Sequence, residues 1–288
     1  MNETPVATGL AAGADAPGLA AKDAALDRLL RDLPSLIVAY SGGVDSAYLA
    51  YAAHRALGPA ALCVTADSPS YPERHRALAV RIAGEFGFSH QFIQTAEMAR
   101  PEYRANPANR CYYCKHELYT HLRALAHDRG IPVIADGSNA DDRGDYRPGR
   151  QAAREFGVRS PLDEVSLSKD EIRELSRRAG LPTWDEPASA CLSSRIPYFS
   201  EVTDEKLRMI ERAEAVLRDL GFRICRVRHH DTIARLELGR DEIARALEPE
   251  RADVIDRELR AIGYAHVTID LRGYRLGSLN DALRLREV

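Results

Sequence analysis

One stretch limits what this chain can fold into: Ser41-Gly42-Gly43-Val44-Asp45-Ser46, set between an apolar run and an alanine-rich helical pattern. Leu36-Ile37-Val38-Ala39-Tyr40, just before it, is short, apolar and rich in β-formers, as a strand buried on both faces is. Residues 47–57 read as a helix, closed by Gly58-Pro59. A strand, a two-glycine turn and a helix N-terminus in that order make an anion site. Glycine lets the backbone approach a phosphate closely, while unpaired N–H groups and the helix dipole favour negative charge. Ser41 and Ser46 add hydroxyl donors. The plain alternative is an ordinary βα turn that carries Gly and Ser.

The alternation continues along the chain. Residues 61–65 read as a strand, 73–86 as a helix stopped by Gly87, 91–93 as a strand and 132–136 as another. This pattern predicts an α/β fold with a doubly wound parallel sheet and ligands at the strand C-termini. A helical pattern over 21–33 precedes the first strand. Ser168-Lys169-Asp170-Glu171 is a capping box that opens a helix to Ala179, and Thr203 caps another over 204–220. Beyond it the rhythm changes. A hairpin is expected from 222–228 and 233–238, then helix over 241–262 with a break near Pro249, then a strand over 266–271, together a small C-terminal α+β unit. At 288 residues and 45% hydrophobic, the chain is long and apolar enough for a large domain and this smaller one. The expected division is a disordered lead-in over 1–20, a nucleotide-binding domain over 21–200, and an α+β substrate or oligomerisation domain over 201–288.

Composition excludes some roles. A net charge of −3 gives no broad attraction to nucleic acid, and no apolar run approaches a membrane span. The first twenty residues hold no Lys or Arg, which makes a poor targeting peptide. Five cysteines without a secretory signal argue against a disulfide framework and for a reducing, cytoplasmic setting.

Four further stretches carry chemistry. Cys111-Tyr112-Tyr113-Cys114 opens a helix running to about residue 127. It reads as half a zinc site, a redox pair, part of an iron–sulfur site, or two chance cysteines. A zinc site would want a second such pair, and the chain has none. Near a helix N-terminus both thiolates should be favoured. Gly137-Ser138-Asn139-Ala140-Asp141-Asp142 lies at a strand C-terminus on the same sheet edge as the glycine turn. Its acids could meet nucleotide or Mg²⁺, or form a solvated Asx-type turn. Residues 145–149 continue as loop. The stretch 184–198 is neither helical nor strand-like and sets Cys191 near Arg195, as a functional loop would; an inert connector is the alternative. Arg226 and Arg228 share one strand face, suited to a bidentate grip on carboxylate or phosphate, or simply a solvated basic face. Glu214 and Glu237 read as surface charge, with a secondary acidic site as the weaker alternative. Cys63 and Cys225 read as core residues.

SGGVDS at 41–46 resembles the PP-loop of the ATP pyrophosphatases, which cleave ATP between the α- and β-phosphates. With RCYYCK at 110–115, DGSNADD at 136–142, ACLSSRIPY at 190–198 and RVRHHD at 226–231, the chain resembles the LarE sulfur transferases from about residue 20 onward. The resemblance implies a HUP-like fold and adenylation of the carboxylates of pyridinium-3,5-biscarboxylic acid mononucleotide. A sulfur nucleophile then makes thiocarboxylates for the nickel-pincer nucleotide cofactor. It implies that Ser41, Gly42, Gly43, Asp45 and Ser46 hold the phosphate end of ATP, with Asp45 linked to Mg²⁺ and either Asp141 or Asp142 assisting. It assigns Arg195, Arg226 and Arg228 to the substrate. Cys111, Cys114 and Cys191 would hold a 4Fe-4S cluster; otherwise Cys191 alone surrenders its sulfur. A small-molecule substrate, no nucleic-acid or membrane partner, and a homo-oligomer are also implied. Rival readings are a PP-loop tRNA thiolase, an ammonia-using synthetase of the NAD or GMP type, and a non-catalytic nucleotide-binding module.

Overall fold

The computed structural model describes residues 16–144, 148–187, 190–275 and 277–280. Strand β1 (Leu36–Ala39) is buried along its whole length, which explains why it reads as an unbroken apolar run. It pairs in parallel with β2 (Ala61–Asp67) on one side and β4 (Ile134–Ala135) on the other, and β3 (Ser89–Gln94) adds beyond β2. The order β3-β2-β1-β4 means that the chain leaves β1 in opposite directions across the sheet. The crevice at the C-terminal end of β1 is therefore the switch point where such sheets bind ligands.

Helices cover both faces. On one, α1 (Ala16–Arg31), α2 (Val44–Leu57) and α3 (Glu73–Phe86) bring Leu26, Leu49 and Ile82 against Val38 and Cys63. Beyond the short α4 (Pro101–Arg104), α5 (Arg110–Arg129) and α6 (Pro148–Glu155) cover the other face, packing Tyr119, Leu122 and Ala152 on Ile37, Ala39 and Val64. A fully buried leucine such as Leu49 contributes about 2 kcal/mol over an exposed one. Past α7 (Pro161–Glu164), α8 (Lys169–Arg178) starts at the expected capping box, with both reciprocal hydrogen bonds formed.

The second unit has its own core. Helix α9 (Asp204–Asp219) leads to the antiparallel pair β5 (Cys225–His230) and β6 (Ile233–Leu238). Then α10 (Ile243–Ala246) and α11 (Pro249–Ile262) bring β7 (His266–Ile269) parallel to β6. Cys225, Val227, Leu236 and Leu238 pack on Leu217 of α9 and Leu259 of α11. The first half of α9 faces the other way: Leu207 and Ile210 join Tyr103, Leu192 and Ile196. One helix thus belongs to both cores. The whole is an α/β protein with a parallel sheet between helices and a small mixed sheet near the C-terminus. No helix among the described residues is long and apolar enough to cross a membrane.

Three expectations change. Helix α1 begins at Ala16, inside the stretch read as a disordered lead-in, because Leu19 is buried in the core; residues 1–15 lie outside the described residues. Pro148 and Gly149 start α6 instead of continuing a loop, proline being acceptable at a helix start, while 145–147 lie outside the described residues. The last strand stops at Ile269, and Leu271 beyond it is 85% exposed.

Candidate functional site

The glycine turn is locked by its own serines. Ser46 Oγ donates to the Gly43 carbonyl (3.1 Å) and accepts from the Ser41 N–H (3.1 Å), with the two hydroxyls 3.1 Å apart. Tyr71, from the loop after β2, donates its hydroxyl to the Ser41 carbonyl at 3.0 Å. Gly42 has φ +68°, and a Cβ there would stand 3.1 Å from Ala79 Cβ and 3.3 Å from the His75 carbonyl, so no larger residue fits. Gly43 caps α2 without a side-chain hydrogen bond, leaving the first N–H groups of the helix open to an anion.

The chain leaving β4 presses on this turn: a Cβ at Gly137 would lie 2.9 Å from Ser46 N. Asn139 then donates to Asp45 Oδ1 (3.3 Å), and Asp45 Oδ2 forms an ion pair with Lys169 Nζ. The neighbouring acids hold backbone in place. Asp142 accepts from Asn139 N (3.1 Å) and Asp141 from Lys169 N (2.7 Å), while Asp136 accepts from Tyr119 (2.9 Å) and Ser160 (2.8 Å). Asn139 Oδ1 accepts from Asp141 N at 3.0 Å, so the turn is of the Asx type, but Asn139 and Asp142 are buried and it is not a solvated one. Asp45 is the carboxylate at the head of α2, and its hard oxygens suit Mg²⁺. Lys169, which the sequence showed only as part of a capping box, meets the head of α2 through Asp45.

The loop of the lone cysteine packs against the helix that carries the pair. Cys191 precedes a single 3-10 turn, Leu192–Arg195, whose Leu192 N–H donates to the Ser70 carbonyl at 2.9 Å. Ser70 is next to Tyr71, so the cysteine loop and the phosphate turn hang on adjacent residues. Ser193 ties the same turn to α5: its carbonyl accepts from Arg110 Nη1 (2.9 Å), and its hydroxyl lies 2.7 Å from Tyr103 Oη. Cys114 packs with Tyr103, Leu192 and Ile196. Burial pushes the Cys114 thiol up, whereas Cys111 is exposed on the first turn of α5 beside the Arg110 guanidinium. At Cys114 this corrects the expectation that the helix N-terminus favours the thiolate, because desolvation outweighs the dipole there. Among the described residues no three His, Cys, Asp or Glu side chains converge as a metal-holding group, so a cluster would have to draw these thiols closer together. Arg110 stands directly before Cys111 in the sequence, which was the available signal for it. Cys63 and Cys225 lie in the cores, their thiols pushed up by burial to about 12 and about 11. Ala188 and Ser189 lie outside the described residues.

The arginines sort differently from the sequence reading. Arg195 is 2% exposed and donates from Nε and Nη2 to the two Glu214 oxygens at 2.8 and 3.1 Å. Its Nη1 donates to the carbonyls of Ala190 (2.8 Å) and Cys191 (3.0 Å) and to Ser194 Oγ (2.9 Å). Arg228 is likewise buried, reaching the Ser194 carbonyl (2.7 Å), Glu237 (2.7 Å) and Ser278 (2.8 Å). Both guanidinium groups thus hold the Cys191 loop. Glu214 and Glu237 are buried partners of these arginines, not surface charge. Against the burial that would raise it, Arg195 keeps the Glu214 carboxyl below the usual range. Arg226 is half-buried and lies over the Tyr274 ring at 5.2 Å.

These cations also reach α3. Burial first, then the charges of Arg74, Arg195 and Arg226, lower His75 from 6.5 to about 4. A histidine that resists protonation when folded stabilises the protein fully above pH 6.5 and loses that contribution as pH falls towards 4. Unfolding free energy should drop by up to about 3 kcal/mol across that window, and the His75→Gln protein should show a shallower drop in denaturant titrations at pH 7, 5.5 and 4.

No protein-family model matches the chain. It is 45% identical over 258 residues to an uncharacterized protein of Synechocystis sp., covering 90% of this chain and 96% of that one. It is 36% identical over 266 residues to the pyridinium-3,5-bisthiocarboxylic acid mononucleotide synthase of Lactiplantibacillus plantarum, covering 92% and 96%. A more distant likeness, 28% over 219 residues and 68% of this chain, is to a glutamine-hydrolyzing GMP synthase component of Methanopyrus kandleri, 67% of which is covered. Near-complete coverage of the Lactiplantibacillus synthase at 36% identity, on a parallel sheet with this glycine turn at its switch point, makes the chain a member of the LarE family and an enzyme of the PP-loop ATP pyrophosphatase superfamily.

Proposed function

We propose that this enzyme is an ATP-dependent sulfur transferase that converts the carboxylates of pyridinium-3,5-biscarboxylic acid mononucleotide to thiocarboxylates, for synthesis of the nickel-pincer nucleotide cofactor. The observation that carries the reading is the shared support of the two chemistries: Ser70 holds the Cys191 turn and Tyr71 holds the phosphate turn. The likeness to the Lactiplantibacillus synthase supports the choice of substrate.

In this reading a substrate carboxylate oxygen attacks the α-phosphorus of ATP, and the α–β bond breaks to release pyrophosphate. Ser41, Gly42, Gly43 and Ser46 receive the phosphates through backbone and hydroxyl donors. Asp45 would hold Mg²⁺, which neutralises charge building on the leaving pyrophosphate. A sulfur nucleophile then adds to the acyl carbon, and AMP leaves with the former carboxylate oxygen. Cys111, Cys114 and Cys191 suit an iron–sulfur cluster in kind: three soft thiols, an apolar wall from Tyr103 and Leu192, and the Arg110 cation beside them. Held by these three thiolates, a 4Fe-4S cluster would supply the sulfide to be transferred. Arg226 grips the substrate's carboxylate or phosphate, while Arg195 and Arg228 act by fixing the Cys191 loop. The enzyme works as a homo-oligomer in the cytoplasm, with residues 201–288 contributing the substrate arginine.

The test is anaerobic incubation of purified protein with ATP, Mg²⁺ and the dicarboxylate nucleotide, followed by mass spectrometry. Thiocarboxylate, AMP and pyrophosphate are expected, with iron and acid-labile sulfide in the protein and Cys191 unchanged in mass. ADP as product, or sulfur delivered to tRNA instead, overturns the reading. Thiocarboxylate with Cys191 converted to dehydroalanine overturns the cluster and leaves Cys191 as the sacrificial donor.

A further inference from the structure

We propose that Glu97 is a positioning residue for sulfur transfer, acting through Ser70 to hold the Cys191 turn in register with the activated acyl carbon. The inference rests on the sulfur-transfer reading above and adds a residue to it. Glu97 opens a single 3-10 turn, Glu97–Ala99, between β3 and α4. It is 2% exposed, and a buried carboxyl is costly unless hydrogen bonds compensate. Among the described residues its hydrogen bond goes to one partner: the Ser70 hydroxyl donates to Oε1 at 3.0 Å. Met98, the next residue, and Cys114 both pack on the cluster of Tyr103, Leu192 and Ile196. The Glu97 turn and the cysteine helix therefore share one apolar wall.

Ser70 is held by its side chain and holds the Cys191 turn by its backbone. Its hydroxyl lies between Glu97 and Ser68 Oγ, the latter at 3.0 Å, while its carbonyl accepts the Leu192 N–H at 2.9 Å. Without the Glu97 carboxyl, that hydroxyl keeps only Ser68, a residue of its own loop. The phosphate turn has supports of its own. Ser46 locks it from within, and Tyr71, whose hydroxyl reaches Ser41, has its N–H on the Ser68 carbonyl at 3.0 Å. The loss therefore falls on the Cys191 turn. A reacting group displaced by about 1 Å can cost on the order of 10²-fold in rate. Water then attacks the acyl carbon in place of sulfur, AMP leaves and the original carboxylate is regenerated, so pyrophosphate is released without thiocarboxylate.

Two measurements on the full chain test this: product stoichiometry, and hydrogen exchange of the peptide spanning Leu192, which needs no substrate. Glu97→Ala should raise pyrophosphate released per thiocarboxylate about tenfold, leave the KM for ATP within about threefold of wild type, and speed exchange at Leu192 about tenfold. Glu97→Gln, whose amide oxygen accepts the same hydrogen bond, should restore both readouts. Should Glu97→Ala fail to fold, Ser70→Ala carries the test from the other end of that bond, with the same rise in ratio and exchange expected. A Glu97→Ala protein with the wild-type product ratio and Leu192 protection overturns the proposal alone. So does one that loses both half-reactions in equal measure, because Glu97 would then serve the fold and not the cysteine turn. Wild-type protein that forms no thiocarboxylate overturns the sulfur-transfer reading, and this proposal with it.

Discussion

With alanine in place of Cys191, the enzyme should still release AMP and pyrophosphate when given ATP and the dicarboxylate nucleotide, but should lose thiocarboxylate formation. The turn holding this residue is built from backbone: Leu192 N–H on the Ser70 carbonyl, and the Cys191 carbonyl on Arg195 and Ser194. Its φ and ψ of −60° and 155° suit alanine equally well. The substitution therefore removes the sulfur and leaves the loop in place. In the proposed reaction adenylation rests on the glycine turn and Asp45, so it should continue. Hydrolysis of the acyl adenylate replaces sulfur transfer, giving a loss of at least about 10³-fold in thiocarboxylate with pyrophosphate release within roughly tenfold of wild type. Cys63→Ala is the comparison: that thiol lies in the sheet core, so the change costs about 1–2 kcal/mol of stability and leaves sulfur transfer intact. Nucleotide chromatography and product mass spectrometry read both. Wild-type thiocarboxylate from Cys191→Ala would remove this pocket from the chemistry.

What could be read in the sequence was what local rules dictate. A strand buried on both faces must be apolar at every position, so β1 announced itself. Gly42 and Gly43 followed by a helix marked the phosphate turn, and Ser168 with Glu171 marked the start of α8. The misses were tertiary. The Ala- and Gly-rich stretch at the head of α1 has a linker's composition, and only packing around Leu19 makes it helix. Pro148-Gly149 reads as loop, yet α6 lies so close to α5 that a Cβ at Gly149 would stand 3.0 Å from Lys115 Cγ.

The site divides the same way. Cysteines are conspicuous, and their chemistry narrowed the possibilities before any fold was known. Ion pairs between residues 45 and 169, or 195 and 214, carry no periodic signal, because they depend on which helix ends meet. The arginines misled for a related reason. A strand's two-residue period correctly put Arg226 and Arg228 on one face, but that period cannot say whether the face is covered. Here the Cys191 turn covers it at Arg228, and solvent still reaches Arg226.

That covering gives the second large effect. Glu214→Gln should destabilise the protein by about 3–5 kcal/mol, the cost of leaving a buried cation without its counter-charge. Glu214 accepts from Arg195 at 2.8 and 3.1 Å, from the Val227 N–H at 3.2 Å and from Arg218 at 3.4 Å, so one carboxylate joins the Cys191 loop, α9 and β5. Glutamine keeps the shape but aims an N–H₂ group at a guanidinium or a backbone N–H, and it leaves the Arg195 and Arg226 charges to repel each other. Thermal unfolding should fall by roughly 10 °C. At temperatures where the variant is still folded, sulfur transfer should fall more than pyrophosphate release, since the hydrogen bonds of Arg195 go to Glu214 and to Ala190, Cys191 and Ser194 of the cysteine loop. An Arg195 that instead gripped substrate would give the opposite pattern: a near-normal melting temperature in Glu214→Gln and a raised KM for the dicarboxylate nucleotide. Calorimetry beside steady-state kinetics on this one variant decides between an arginine that holds the loop and one that holds the ligand.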